Sequence, residues 1–345
     1  MRRYLALVPL LLFALFVSAS CLEAMLRLVP ERIWMPALPT GPYPWIRYDP
    51  ITGFANRANF DRNPLHLDNF GLRSPDTTRN PHAEARLVCM GDSRTFGIRK
   101  DAEGMPMDNA YPAFLQELLG SRAEVLNAGV IGYTSATGLA QLHSLLIPLH
   151  PSAVIVSYGV NDHCPDRQPA LAPFDPPKAP FLQTLFDFSA RMQLFRLVMA
   201  ASRQARAPSD ERVRNPAVPL PIYQENLRRI VADARRNEIR VVFLTQALRP
   251  RSQRDVHTNP GELFLLGATS LDEIYALDSD YRRAMIAVAN GLNVPVADGA
   301  AAIEQWQGEP LFGPDDMVHV NPLGAKLLAK VVRDKLADLG WLPTQ

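Results

Sequence analysis

Short apolar runs that stop at or near a glycine alternate along most of this chain with longer stretches of helical period. Runs at 87–90, 125–130 and 153–158 close within two residues of Gly91, Gly132 and Gly159, and others lie at 240–245 and 294–298. Each is short and rich in Val, Ile, Leu or Phe, as buried strands are. Segments at 111–120, 136–148, 221–238, about 272–291 and 322–337 carry apolar residues at helical spacing. In 221–238, Pro221 stands near the start and Leu227, Ile230 and Val231 form the apolar stripe. Strands separated by helices predict βαβ units and a parallel sheet buried on both faces. The expectation is an α/β domain over 86–345 with five parallel strands. A Pro-rich insertion at about 165–219, with Met and Phe near 181–202, is expected to lie over the sheet as a cap.

The amino-terminal 85 residues follow neither period. After Arg2 and Arg3 no charge appears from 4 to 22, a run of 19 residues rich in Leu, Val, Ala and Phe. At about 1.5 Å per residue it just spans a hydrocarbon layer of about 30 Å. Residues 1–29 therefore read as a signal-anchor, single-pass, with everything after it outside the cytoplasm. Cleavage after the small residues at 17–20 and lipidation of Cys21 stay open, and both also export the domain. Residues 30–85 hold six prolines by position 50 and then a polar stretch. Proline discourages helix, so an extended stalk is expected, followed by irregular structure and short hairpins lying on the domain. The turn signal at 68–71 is expected to plug Phe70 into the core.

Charge and composition narrow the function. The 345 residues carry 36 basic and 35 acidic side chains, a net charge of +1, which argues against a broad nucleic-acid face. Three cysteines show no zinc or redox spacing; a Cys89–Cys164 disulfide is left open. His66, His82, His143 and His150 form no ligand pattern, and no Walker or dinucleotide glycine pattern is present, so no metal or other cofactor is expected.

Functional residues in open parallel sheets gather past the carboxyl ends of the strands. Ser93 follows the first strand, Gly132 the second and Asn161 the third, and Asp315-Asp316-Met317-Val318-His319 precedes the last helix. A serine hydroxyl needs a base within hydrogen-bond reach to become a nucleophile. His319 fits that role, with Asp316 to orient the imidazole; Asp315 is a weaker candidate. The Asn161 amide and the backbone amides of Ser93 and Gly132 suit an oxyanion hole. Arg94 and His163 are candidate substrate contacts, and Asp92 shapes the serine turn.

The blocks GDSRTFG (91–97), NAGVIGYTSATG (127–138), YGVND (158–162) and DDMVH (315–319) together resemble the SGNH hydrolase superfamily, the GDSL-type esterases and lipases. The apolar start, Glu23-x-x-Leu26-Arg27 and Asn69-x-Gly71-x-Arg73 resemble membrane-anchored bacterial members. The resemblance implies a three-layer α/β/α, flavodoxin-like sandwich. It also implies an esterase working through a Ser93–His319–Asp316 triad and an acyl-enzyme, with Gly132 and Asn161 in the oxyanion hole. Arg94 departs from the aliphatic residue of the GDSL form. The expected partner is an ester substrate, either an acylated envelope glycan or a lipid or short acyl ester. An O-acyltransferase for extracellular polysaccharide would use the same groups. A non-catalytic glycan-binding or assembly protein would be expected to lack the serine or the histidine, and both are present. Oligomeric state is not legible.

Overall fold

The computed structural model describes residues 7–29, 33, 43–63, 65–73, 83–98, 110–165, 173–204, 216–252, 263, 265–313 and 316–342. The chain begins with helix α1 (Leu7–Leu28), then forms hairpins from β1 (Ile46–Asp49) and β2 (Gly53–Asn56) and from β3 (Asp61–Arg62) and β4 (Leu65–His66). The main alternation follows: β5 (Ala85–Gly91), α2 (Ser93–Phe96), α3 (Tyr111–Leu119), β6 (Ala123–Asn127), α4 (Ser135–Gln141), β7 (Ala153–Ser157) and α5 (Val160–His163). Helices α6 (Pro180–Ser189) and α7 (Gln193–Gln204) come next. The chain continues with α8 (Leu220–Arg236), β8 (Arg240–Thr245), α9 (Leu271–Leu292), β9 (Val296–Asp298), α10 (Gly299–Glu304) and α11 (Pro322–Asp338).

The five main strands form one parallel sheet in the order β6-β5-β7-β8-β9. Both faces are buried, and the two-residue period of a strand sorts its side chains between them. Val88, Met90, Val154, Val156 and Phe243 face α4, α8 and α9, whereas Leu87, Cys89, Val125, Ile155 and Leu244 face α3 and α11. The result is the expected three-layer α/β architecture.

Local chemistry ends the helices where the pattern predicts, with one exception. Asn321 accepts hydrogen bonds from the amides of Leu323 and Gly324 and Pro322 opens α11, while Asn293 closes α9 in the left-handed conformation. The helix expected over 136–148 instead changes pitch after Gln141, through a π turn at Leu142–Leu146 and a 3-10 turn at Ile147–Leu149. Pro148 supplies no amide hydrogen there.

One further expectation is corrected, and one open question is answered. Phe70 does not plug the core: the Asp68 carboxylate accepts the amides of Phe70 and Leu72, which turns Phe70 outward and buries Leu72. No disulfide joins Cys89 to Cys164, since Cys89 lies under α3 and α11 and Cys164 packs with Val160 and Leu248 in a separate cluster.

Over Val8–Leu28, α1 is long and apolar enough to cross a membrane, as a signal or anchor segment would be. Most of its side chains are exposed, but Glu23 and Leu26 are buried, and Glu23 accepts the Leu194 amide of α7 at 2.8 Å.

Candidate active site

Strand order by itself gathers the candidate residues. β5 lies between β6 and β7, so the turn carrying Ser93 is flanked by the loop after β6, with Gly132, and by the turn after β7, with Asn161. Gly91 ends β5 in a space no side chain can share: an added Cβ would stand 2.1 Å from Thr95 Oγ1 and 2.7 Å from the Ser157 carbonyl. The Asp92 carboxylate accepts the Arg94 amide at 2.8 Å and caps α2, which starts at Ser93.

Ser93 Oγ lies 2.8 Å from His319 Nε2. On the other side of the ring, Nδ1 stands 3.0 Å from Asp316 Oδ2 and 3.2 Å from Oδ1. The same carboxylate accepts the amides of Val318 and His319, each at 2.9 Å, so the tight turn at 316–319 fixes acid and base together. Burial would raise the Asp316 pKa, but hydrogen bonds and charge from His319 and the two amides outweigh it and hold the carboxyl below its ordinary value. It is therefore a carboxylate at neutral pH. Asp315 lies outside the described residues.

The other two strand ends are tied to each other. Asn161 Nδ2 donates to the Tyr133 carbonyl at 3.0 Å, which fixes the orientation of its amide. Asp162 Oδ1 accepts both the amide (2.9 Å) and the hydroxyl (2.5 Å) of Ser135, and Asn226 donates to the same hydroxyl. Burial pushes the Asp162 carboxyl up to about 7 against the opposing hydrogen bonds from Ser135. Gly132 is exposed with φ of 82°, a conformation that favours glycine.

Arg94 and His163 occupy different surroundings from these. The Arg94 guanidinium is buried and paired with Asp92 at 3.3 Å. His163 is also buried, edge-on to Tyr281, with Nδ1 3.2 Å from the Leu266 carbonyl. Burial, then the Arg94 charge, push its pKa down to about 4, so the ring is neutral at ordinary pH. Among the described residues, no group of three or more potential ligands is placed to hold a metal ion.

A second histidine–carboxylate cluster was not legible in the sequence. His143 puts Nδ1 2.9 Å from Asp187 and Nε2 2.7 Å from Asp233, and Gln183 donates to Asp233 at 2.9 Å. The partners lie 44 and 90 residues away, so no local spacing signals them.

Residues 89–327 match the family model described as the GDSL-like lipase/acylhydrolase family. Thioesterase 1/protease 1/lysophospholipase L1 of Escherichia coli strain K12 is 39% identical over 83 residues, 24% of this chain and 38% of that protein. An arylesterase of Vibrio mimicus is 32% identical over 83 residues, 23% of this chain and 39% of that protein. The chain thus spans under two fifths of the length of these curated relatives. The crystal structure of Est24, a carbohydrate acetylesterase from Sinorhizobium meliloti, is 15% identical, with 74% of this chain and all of that chain covered and a TM-score of 0.48.

Proposed function

Since this chain belongs to the GDSL-like lipase/acylhydrolase family, we propose that it hydrolyses carboxylic esters through an acyl-enzyme on Ser93. The observation that carries the reading is the Ser93–His319 contact of 2.8 Å with a buried carboxylate on the far ring nitrogen. Ser93 Oγ attacks the ester carbonyl while His319 Nε2 takes its proton. Asp316 keeps the second proton on Nδ1 and offsets the positive charge the ring acquires. The carbonyl oxygen, now negative, is received by the amides of Ser93 and Gly132 and by Asn161. Asn161 has two N–H bonds: one is held by the Tyr133 carbonyl, leaving the other to donate. His319 then returns the proton to the leaving alcohol. Water, activated by the same ring, releases the acid and restores Ser93.

The substrate proposed is an acyl ester outside the cytoplasm, either acetyl on an envelope glycan or a lipid or short acyl ester. What supports this reading is α1, long and apolar enough to serve as a signal-anchor, preceded by Arg2 and Arg3, which favour placing the domain on the outer face of a membrane. The chain should hydrolyse a short activated ester, and an organophosphonate should add to Ser93, located by intact mass and peptide mapping. Folded protein that takes no label would end the reading.

A further inference from the structure

The matched family region starts at residue 89, yet residues 45–73, ahead of it, contact two loops of the candidate site, the serine turn and the loop after β6. Asn56, itself buried, donates from Nδ2 to the Gly71 carbonyl at 3.1 Å and the Gly129 carbonyl at 3.2 Å. Gly129 lies directly behind the serine turn, where an added Cβ would stand 2.3 Å from the Phe96 nitrogen. Arg73 donates through Nη1 to the carbonyls of Phe96 (2.5 Å) and Gly97 (2.9 Å) at the end of α2. Its backbone amide donates to the Asn127 carbonyl, and Asn127 in turn donates to the Thr95 carbonyl. Trp45 stacks parallel to Phe96. On the oxyanion side, Tyr133 donates its hydroxyl to the Phe54 carbonyl at 2.8 Å, and the Phe54 ring lies against Gly132. The Tyr133 carbonyl is the group that orients Asn161.

Three of these contacts end on backbone carbonyls of the active-site loops, those of Gly129, Phe96 and Gly97, which is what fixes where those loop atoms sit. We propose that residues 45–73 form a positioning element of the catalytic site, in which Asn56 and Arg73, together with the Phe54 carbonyl that receives the Tyr133 hydroxyl, hold the serine turn and the oxyanion loop in register with each other. The assignment of a catalytic effect rests on the ester-hydrolase reading above. The Asn69-x-Gly71-x-Arg73 spacing then has a physical meaning. Gly71 has φ of +76° and comes so close to Asn56 that a Cβ would stand 2.8 Å from the Asn56 carbonyl, which lets Arg73 swing under the serine turn. The element is also coupled outward. Arg196 of α7 pairs with Asp49 at 2.7 Å, and Asp49 Oδ1 accepts the amides of Ile51 and Thr52 to close the β1–β2 turn. Through the Glu23–Leu194 bond the same helix holds α1. A continuous set of polar contacts thus runs from the apolar helix to the oxyanion loop.

The test compares full-length wild type with Asn56→Asp, which keeps the shape and removes the donors, and with Tyr133→Phe, which removes one hydroxyl. Val332→Ala, in the opposite layer, reports general loosening of the fold. With p-nitrophenyl acetate, Asn56→Asp should lower kcat by about 10- to 100-fold and Tyr133→Phe by about 3- to 10-fold, with KM within about twofold of wild type. Amide hydrogen exchange should quicken in peptides covering 93–97 and 129–135 for both variants and stay unchanged in β7 and β8. Val332→Ala should lower the melting temperature and leave kcat and those two peptides alone. The proposal is overturned if both site variants keep kcat within about twofold of wild type, or if Val332→Ala reproduces their kinetic losses. An inactive wild type would instead sink the ester-hydrolase reading; exchange then decides alone, and unchanged protection over 129–135 overturns the positioning role.

Discussion

Two histidines among the described residues stand between hydrogen-bonding partners, and they are opposites. His319 has a serine hydroxyl on one nitrogen and a carboxylate on the other, at the open edge of the sheet. His143 has a carboxylate on each nitrogen and is sealed inside, its side chain 1% exposed. Two carboxylates favour the doubly protonated ring. Burial works against the charge on His143, but the hydrogen bonds to Asp187 and Asp233 outweigh it and raise the pKa. His143 thus favours the charged ring and fastens α6 and α8 to the turn after α4. A ring that faces a hydroxyl keeps a lone pair for the incoming proton. The lesson is that a His–Asp contact names no function; the atom on the other nitrogen, and access to it, separate a clamp from a base.

The comparison breaks most visibly at the reacting atoms. Ser93→Ala or His319→Ala should lower kcat by about 10⁴- to 10⁶-fold. His143→Ala should leave kcat of the folded protein within about twofold and instead reduce stability by roughly 3–5 kcal/mol, because it breaks a buried polar cluster in which Asp187 and Asp233 each lose the imidazole partner. Steady-state kinetics and denaturant titration on the same preparations separate the two outcomes. Folded His143→Ala protein with lost turnover would erase the distinction.

Replacing Asp316 by Asn should preserve the fold and lower kcat by up to about 10⁴-fold, the loss found for the same role in serine proteases. Combined with His319→Ala it should add little, since members of one catalytic unit are not additive. Asn161→Ala is expected to lose on the order of 10²- to 10³-fold in kcat, the usual size of one oxyanion donor.

The smallest effects are in pH dependence. A His143 pKa raised by folding contributes stability that is fully present below the unfolded value near 6.5 and lost as pH rises through the folded value. His143→Gln should remove that component from unfolding curves measured between pH 5 and 9, roughly spanning the histidine range. Asp162, raised to about 7 mainly by burial, acts with the same sign, since its neutral form is the one that folding favours. Asp162→Asn should therefore gain on wild type as pH rises from about 4 to about 7. A constant stability difference across that range would contradict a carboxyl that folds neutral.

The fold was legible because its strands are short, apolar and punctuated: Gly91 and Gly159 mark strand ends, Gly91 through close packing against Thr95 and Ser157 and Gly159 through a φ of +147°. The meeting of Ser93 with His319 was legible for a topological reason, as strand ends in a parallel sheet share one edge. What escaped depended on contacts between distant elements. The partners of His143 come from α6 and α8. The burial of Arg94 depends on its Asp92 pairing and on the charge of Asp278, which lies in α9. Phe70 was misjudged because the outcome of a turn rests on which amides its Asp accepts, and Asp68 chose those of Phe70 and Leu72.

The separation of 226 positions from Ser93 to His319 also sets the order in which reactivity arrives. Contacts of such long range form late, because loop closure must precede them. A nascent chain that has completed β5 through β8 already holds its serine, but as an ordinary alcohol without a base. The imidazole reaches it only when the segment before α11 has docked. Half-folded chains that lack this docking, the ones that brush against their neighbours, are chemically mute, and reactivity switches on only when the two distant segments meet.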